Sequence, residues 1–281
     1  MSGDETLKIL FFGDLVGRPG RYAIRDFIAK PKYFLPDSDY DFDKIFCIAN
    51  VENASHGFGL TEKNYHDLES YGIDCMTSGN HIWDKKEIFN YIDNADKLIR
   101  PFNYPEGTKG QGSKIFEFNG IKIGVINALG RVFMAPVDSP WQGVINEIKR
   151  LKEITPVVIV DFHAEATAEK ICLARLCSEL GVSAFFGTHT HVQTADEQIL
   201  NGMAYITDAG FCGAYDSVIG MDYSSSLIRF TTCVPERYDV ADSKLIQLNA
   251  VEVEITPSTG QAATIKRIFC CIDKINEDER Q

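Results

Sequence analysis

Five apolar runs of strand length each stop on residues that bind metals or move protons. They are KILFFGD at 8–14, KIFCIANVEN at 44–53, GIDCMTSGNH at 72–81, VVIVDFH at 157–163 and SAFFGTHTH at 183–191. Near-continuous apolar runs belong to strands buried on both faces, and helical patterns separate these, so the chain predicts an α/β core. In open α/β sheets ligands bind outside the carboxyl ends of the strands, so each run delivers its last residues to one rim. That rim gains the carboxylates of Asp14 and Glu52 and the amide oxygens of Asn53 and Asn80. It also gains the imidazoles of His81, His163, His189 and His191.

Helices are predicted over 17–30, over 62–71 behind a Thr61 cap, over 85–97, over 146–154 and over 167–180. Further strands fall at 121–130 and 203–210. In the tail, SSSLIRFTT at 224–232, LIQLNAVEVEI at 245–255 and AATIKRIFCCI at 262–272 alternate apolar with polar and predict antiparallel strands. TPSTG at 256–260 makes a hairpin of the last two. Residues 31–43 read as a surface loop. If His189 and His191 lie on extended backbone, their side chains point the same way. No composition shift marks an interior boundary, so 1–281 is expected to be a single domain.

A net charge of −12 argues against a bulk nucleic-acid partner, whose usual footprint is a basic face. A small anionic substrate fits if metal ions supply local positive charge. Gly13 interrupts the first apolar run, so neither a signal peptide nor a membrane span is expected. The eight cysteines include no C-x-x-C pair, and a reduced, cytoplasmic protein is expected.

Two carboxylates, two amides and four imidazoles are too many for one structural zinc, which takes four ligands. They suffice for two ions sharing a carboxylate at about 3.5–4 Å separation. A strand-end Asp or Asn taken alone usually sets a turn or caps a helix. Five strand ends converging on metal-ligand chemistry favour the functional reading.

The order GD, EN, GNH, H and GTHTH resembles the calcineurin-like metallophosphoesterases. More closely it resembles their YmdB-like subgroup, which acts as 2′,3′-cyclic-nucleotide phosphodiesterases. The similarity runs over nearly the whole chain, including GNHIWD, the Gly130-Arg131 stretch and TDAGFCGAYDSVIGMD. Val16 stands where the wider superfamily usually has His, and Glu52-Asn53 replaces its usual bridging Asp; both departures match the YmdB-like pattern.

The resemblance implies a β-sandwich flanked by helices, four layers in the order αββα, with antiparallel C-terminal strands. It implies that Asp14, Glu52, Asn53 and His191 hold one metal. Glu52 as bridge, Asn80, His163 and His189 would hold the other. His81 would be the general acid. The resemblance suggests iron or manganese for the two transition-metal ions, and a nitrogen and oxygen donor set without thiolate would also take zinc. His56, in the glycine-flanked loop after Asn53, and Arg131 are candidate substrate contacts. The expected protein is a homo-oligomer that hydrolyses a small phosphodiester such as a 2′,3′-cyclic nucleotide, with no membrane partner. The alternatives are a phosphomonoesterase or nucleotidase with the same metals, and a metal-bound regulatory protein in RNA turnover.

Overall fold

In the computed structural model, which describes residues 6–274, the first strand already defines the layers. β1 (Leu7–Phe12) turns Leu7, Ile9 and Phe11 into one apolar cluster and Leu10 and Phe12 into another, as the two-residue period of a strand requires. The chain continues through β2 (Asp14–Leu15), α1 (Gly17–Ala29), the single turn α2 (Pro31–Phe34), β3 (Ile45–Asn50), α3 (Glu62–Ser70) and β4 (Cys75–Thr77). Next come α4 (Ile88–Tyr91), β5 (Ser113–Phe118), β6 (Ile121–Leu129), α5 (Pro140–Lys152), β7 (Val158–His163), α6 (Thr167–Glu179) and β8 (Ala184–Thr188). β9 (Gln198–Leu200), β10 (Met203–Ile206), β11 (Phe211–Ala214), α7 (Tyr223–Thr232), β12 (Leu245–Thr256) and β13 (Gln261–Asp273) complete the order.

One sheet runs β2-β11-β12-β1-β3-β4, with β13 also paired to β12, and the other runs β5-β6-β7-β8-β10-β9. β1, β3 and β4 are parallel neighbours in the first, and β6, β7, β8 and β10 in the second. Between the sheets, Ile9, Phe11, Phe46 and Ile48 meet Ile123, Val125, Ile159 and Phe186. The rings of Phe11 and Phe186 stack there with centroids 4.3 Å apart. Outside the first sheet, Leu10, Phe12 and Cys47 pack with Ile24 and Phe27 of α1 and Leu68 of α3. Outside the second, Val158, Val160 and Phe162 pack with Val144 and Ile148 of α5 and Leu173 of α6. The layers are therefore helix, sheet, sheet, helix, and the C-terminal pair β12–β13 is antiparallel. Each fully buried side chain of this kind is worth about 1.5–3 kcal/mol. A one-residue slip would turn all of them into the wrong layer, so the register is strongly held.

Local structure departs from the sequence reading in several places, among them α5, which begins at Pro140 rather than at 146, and β10, which ends at Ile206 rather than at 210. Residues 224–232 form the helix α7, not a strand: Asp222 caps it, accepting the N–H of Ser225 at 2.9 Å. The helix expected over 85–97 shrinks to the turn α4 and a 3-10 turn at Ile92–Asn94, because Asn90, Asp93 and Asn94 favour turns over helix interiors. The 31–43 stretch is a surface connection as read, except that it opens with the turn α2 and sets Phe34, Tyr40 and Phe42 edge-on around Phe27. His189 and His191 are not on extended backbone, since both adopt positive φ, +100° and +63°. Among the described residues, no helix is long and apolar enough to cross a membrane.

Candidate metal centre

The rim at the carboxyl ends of the parallel strands collects residues from both sheets. Asp14 opens β2 just after β1, and Glu52 and Asn53 sit in the turn after β3. β4 ends at Thr77; Gly79 then leads into a 3-10 turn that carries Asn80 and His81. His163 is the last residue of β7, and His189 and His191 follow β8. Gly79 is needed for space: a Cβ there would collide with Glu52 Oε2 and the His163 ring.

Glu52, His163 and His189 converge with one potential ligand atom each, all within 4.8 Å of one another. His163 Nε2 lies 3.1 Å from Glu52 Oε1 and 3.0 Å from His189 Nδ1. Asp14 is fully buried beneath them; its Oδ2 accepts the His189 N–H at 3.1 Å and its Oδ1 lies 3.7 Å from His163 Nδ1. Glu52 Oε2 accepts the His81 N–H at 2.9 Å.

The ring nitrogens are sorted by their partners. His191 Nδ1 lies 2.8 Å from the Ile219 carbonyl, which can only accept, so Nδ1 carries the proton and Nε2 is left as a donor atom for a metal. His81 Nδ1 lies 2.8 Å from Asp84 Oδ2, which leaves its Nε2 available. Thr188 Oγ1 donates to Asp161 Oδ1 at 2.7 Å, and its lone pair therefore receives Nδ1–H of His163 at 2.9 Å. His163 Nε2 is thereby turned toward Glu52. His189 is used the other way round, with Nδ1 toward His163 and Nε2 3.2 Å from Glu165 Oε2. Oxygen partners of this kind set the tautomer and orientation of metal-binding imidazoles.

Among the described residues, three buried side-chain oxygens on candidate ligands have no hydrogen-bond partner: Asp14 Oδ1, Asn53 Oδ1 and Asn80 Oδ1. The Asn53 amide is oriented by its Nδ2, which donates to Gly57 O at 2.9 Å. Leaving such an acceptor unsatisfied costs about 1–3 kcal/mol, and three at one rim make a cation the fitting partner. Electrostatics agree. Burial pushes the Asp14 carboxyl up. Burial acts likewise on Glu52, but the neighbouring His163 outweighs it and holds Glu52 at about 2. Burial lowers His163, yet Glu52 and Asp14 bring it up to about 9. The centre of the cluster favours positive charge. Partial burial, with His163 beside it, pulls His189 down to about 3, so its ring is neutral and its lone pair is free to coordinate.

Several supporting residues were not singled out from the sequence. Asn50 donates to Asp161 Oδ2 at 3.0 Å and to Ser78 O at 3.1 Å, joining the two sheets under the cluster. Lys170 and Asp208, both sealed from solvent, pair at 2.7 Å. Asp208 Oδ2 also accepts from the N–H and hydroxyl of Thr190, at 3.1 and 2.7 Å, and so anchors the turn between His189 and His191. The usable signal was a polar residue inside an apolar run, as in IFCIAN and VIVDFH, since a buried polar group needs a partner. Asp84 had a signal too, because residues three apart eclipse in a 3-10 turn.

The structure does not bring every candidate to the cleft over the cluster, which is lined by Glu52, Asn53, His81, His189 and His191 among others. His56, at φ +59°, instead lines a separate cleft with Arg18 and Tyr22. Arg131 is exposed and its main-chain N–H donates to the Glu169 carboxylate.

Comparison with known proteins follows the same lines. A family model described as YmdB-like protein matches residues 10–268. The 2′,3′-cyclic-nucleotide 2′-phosphodiesterase of Bacillus subtilis (strain 168) is 45% identical over 273 residues, covering 97% of this chain and 98% of that protein. A crystal structure of a novel phosphatase from Mycoplasma pneumoniae superposes with a TM-score of 0.85 at 35% identity, covering 96% of this chain and 95% of the other. A hypothetical protein from Thermus thermophilus gives a TM-score of 0.82 at 34% identity, over 94% of this chain and 99% of that one.

Proposed function

Because the chain belongs to the YmdB-like family, we propose that it is a metal-dependent phosphodiesterase acting on 2′,3′-cyclic nucleotides, with nucleoside 3′-phosphates as products. The observation that carries the reading is the Glu52–His163–His189 cluster with the His81–Asp84 pair beside it. Asp14, Glu52, Asn53, Asn80, His163, His189 and His191 would hold two cations. The donor set is oxygen and nitrogen without thiolate, which supports iron or manganese and also accommodates zinc. When bound, such ions neutralise phosphoryl oxygens and lower the pKa of a coordinated water.

The chain's own residues supply the rest. His81 is the general acid: Asp84 holds Nδ1, so Nε2 presents the proton to the departing 2′ oxygen. Glu52 fixes the backbone from which that imidazole projects. Asp208 and Lys170 keep the His189–His191 turn in place, and Asp161 acts through Thr188 to orient His163. The free thiols of all eight cysteines support a reducing, cytoplasmic setting.

A panel of 2′,3′-cyclic nucleotides, nucleoside monophosphates and bis(p-nitrophenyl) phosphate, run with elemental analysis of the same protein, tests the reading. Diesters, cyclic nucleotides among them, are expected to turn over faster than monoesters. The structural relative from Mycoplasma pneumoniae is described as a phosphatase, and faster monoester turnover would move the assignment there.

A further inference from the structure

We infer that the apolar wall beside the metal cluster is a nucleobase subsite that holds the base by its face, with Phe230 as the stacking platform. The inference rests on the cyclic-nucleotide reading above. The cleft has a volume of about 350 Å³, within the range of small-molecule sites. It is lined by the metal rim together with Phe58, Ile219, Met221, Phe230 and Tyr238.

That wall is built into the metal centre rather than merely near it. The Ile219 carbonyl receives Nδ1–H of His191, while Ile219 itself sits at φ +48° and contributes to the cleft lining. Left-handed backbone is a genuine outlier for a β-branched residue, and such outliers gather at ligand sites. The Phe58 ring meets the His81 imidazole edge-on with centroids 4.8 Å apart, and lies 6.3 Å from the Tyr238 ring. The candidate acid therefore continues into an aromatic floor.

α7 supplies the platform by an inverted arrangement. Its buried residues are Ser225 and Ser226, whereas Phe230 is 74% exposed. A globular helix ordinarily buries its apolar face. Phe230 lines the same cleft as the rim residues that would face the phosphate.

Apolar side chains dominate this wall, and two hydroxyl donors elsewhere on the cleft lining are already used. Ser226 Oγ is committed to the Asp222 carbonyl, and Thr190 Oγ1 to Asp208. Every base has a π-face, so stacking tolerates base identity where edge hydrogen bonds do not. The expected substrate class is therefore 2′,3′-cyclic nucleotides of any base.

The test compares kcat/KM for the four 2′,3′-cyclic nucleotides with that for ribose 2′,3′-cyclic phosphate, which keeps the reacting ring and lacks the base. Wild-type protein is expected to favour the nucleotides by about tenfold, with purines and pyrimidines within a few-fold of each other. Phe230→Ala should abolish the preference and Phe230→Trp should retain it; the site is exposed, so truncation opens no core. Saturation-transfer NMR with adenosine gives a readout independent of turnover, with base protons saturated by wild type and not by Phe230→Ala. An unchanged preference in Phe230→Ala, no preference in wild type, or strong selection of one base would overturn the subsite. If neither cyclic ester is hydrolysed, the diesterase reading fails, while an adenosine signal present in wild type and missing in Phe230→Ala would still uphold the subsite.

Discussion

The main-chain N–H of His81 donates to Glu52 Oε2 at 2.9 Å, while Glu52 Oε1 lies 3.1 Å from His163 Nε2. One carboxylate thus faces the cluster with one oxygen and steadies the candidate acid with the other. Glu52→Gln keeps the shape but turns one acceptor into a donor amide. It is expected to lose metal and turnover together, read by elemental analysis beside a kinetic assay. Full metal loading in Glu52→Gln would show that Glu52 is not a ligand.

His81 and Asn80 are adjacent and are expected to separate cleanly. His81→Ala should keep metal content near wild type and lower turnover by about 10²–10⁴-fold. The deficit should shrink for p-nitrophenolate leaving groups, which need no proton. Asp84→Asn should weaken the same step by less, because it acts only through the imidazole. Asn80→Ala should lose metal and slow every substrate. Equal slowing of both leaving groups by His81→Ala would remove it from the acid role.

Gly79 offers a test that leaves every candidate ligand in place. An added methyl group would meet Glu52 Oε2 and the His163 ring, so Gly79→Ala is expected to lower metal affinity by displacing them. Gly79 has a negative φ, near −151°, outside the left-handed region, and the close approach of those side chains is the cause expected. Competition with a chromophoric chelator measures it, and wild-type affinity would contradict the described packing.

Lys170 and Asp208 form an ion pair sealed from solvent. Removing one partner of a buried pair strands the other charge and costs about 3–5 kcal/mol. Lys170→Met is therefore expected to lower unfolding free energy by about that much in denaturant titration. Lys170→Met combined with Asp208→Asn should cost less than the sum of the single changes. Because Asp208 also holds Thr190, Asp208→Asn should in addition weaken metal binding. Additive losses with unaltered metal affinity would show that the two side chains neither depend on each other nor support the turn.

The rim was legible because parallel topology turns a position in sequence, the end of an apolar run, into a shared place in space. Asp14, Glu52 and His163 could be read that way from single letters. The orientation of His189 and His191 could not, since side-chain periodicity carries no information about a positive φ. α7 was misread because Leu227, Ile228 and Phe230 look outward, so neither helical nor strand burial patterns describe it; the Asp222 cap was the better guide. Asp161, Thr188 and Asn50 escaped notice because they work on other residues, and pairings across two sheets leave no local pattern in the chain.

The candidate ligands come from both halves of the sandwich: Asp14, Glu52, Asn53 and Asn80 from one sheet's strand ends, His163, His189 and His191 from the other's. A cation gripped by both sets works as a rivet between them, and its affinity becomes cohesion. At a free concentration of 100 times Kd, such a ligand adds about 2.7 kcal/mol to the native state, set against a typical total of about 5–15 kcal/mol. Scarcity of the ion would then do more than idle the enzyme. It would loosen the seam, raise the fraction of chains open to proteases, and make cellular abundance follow metal supply.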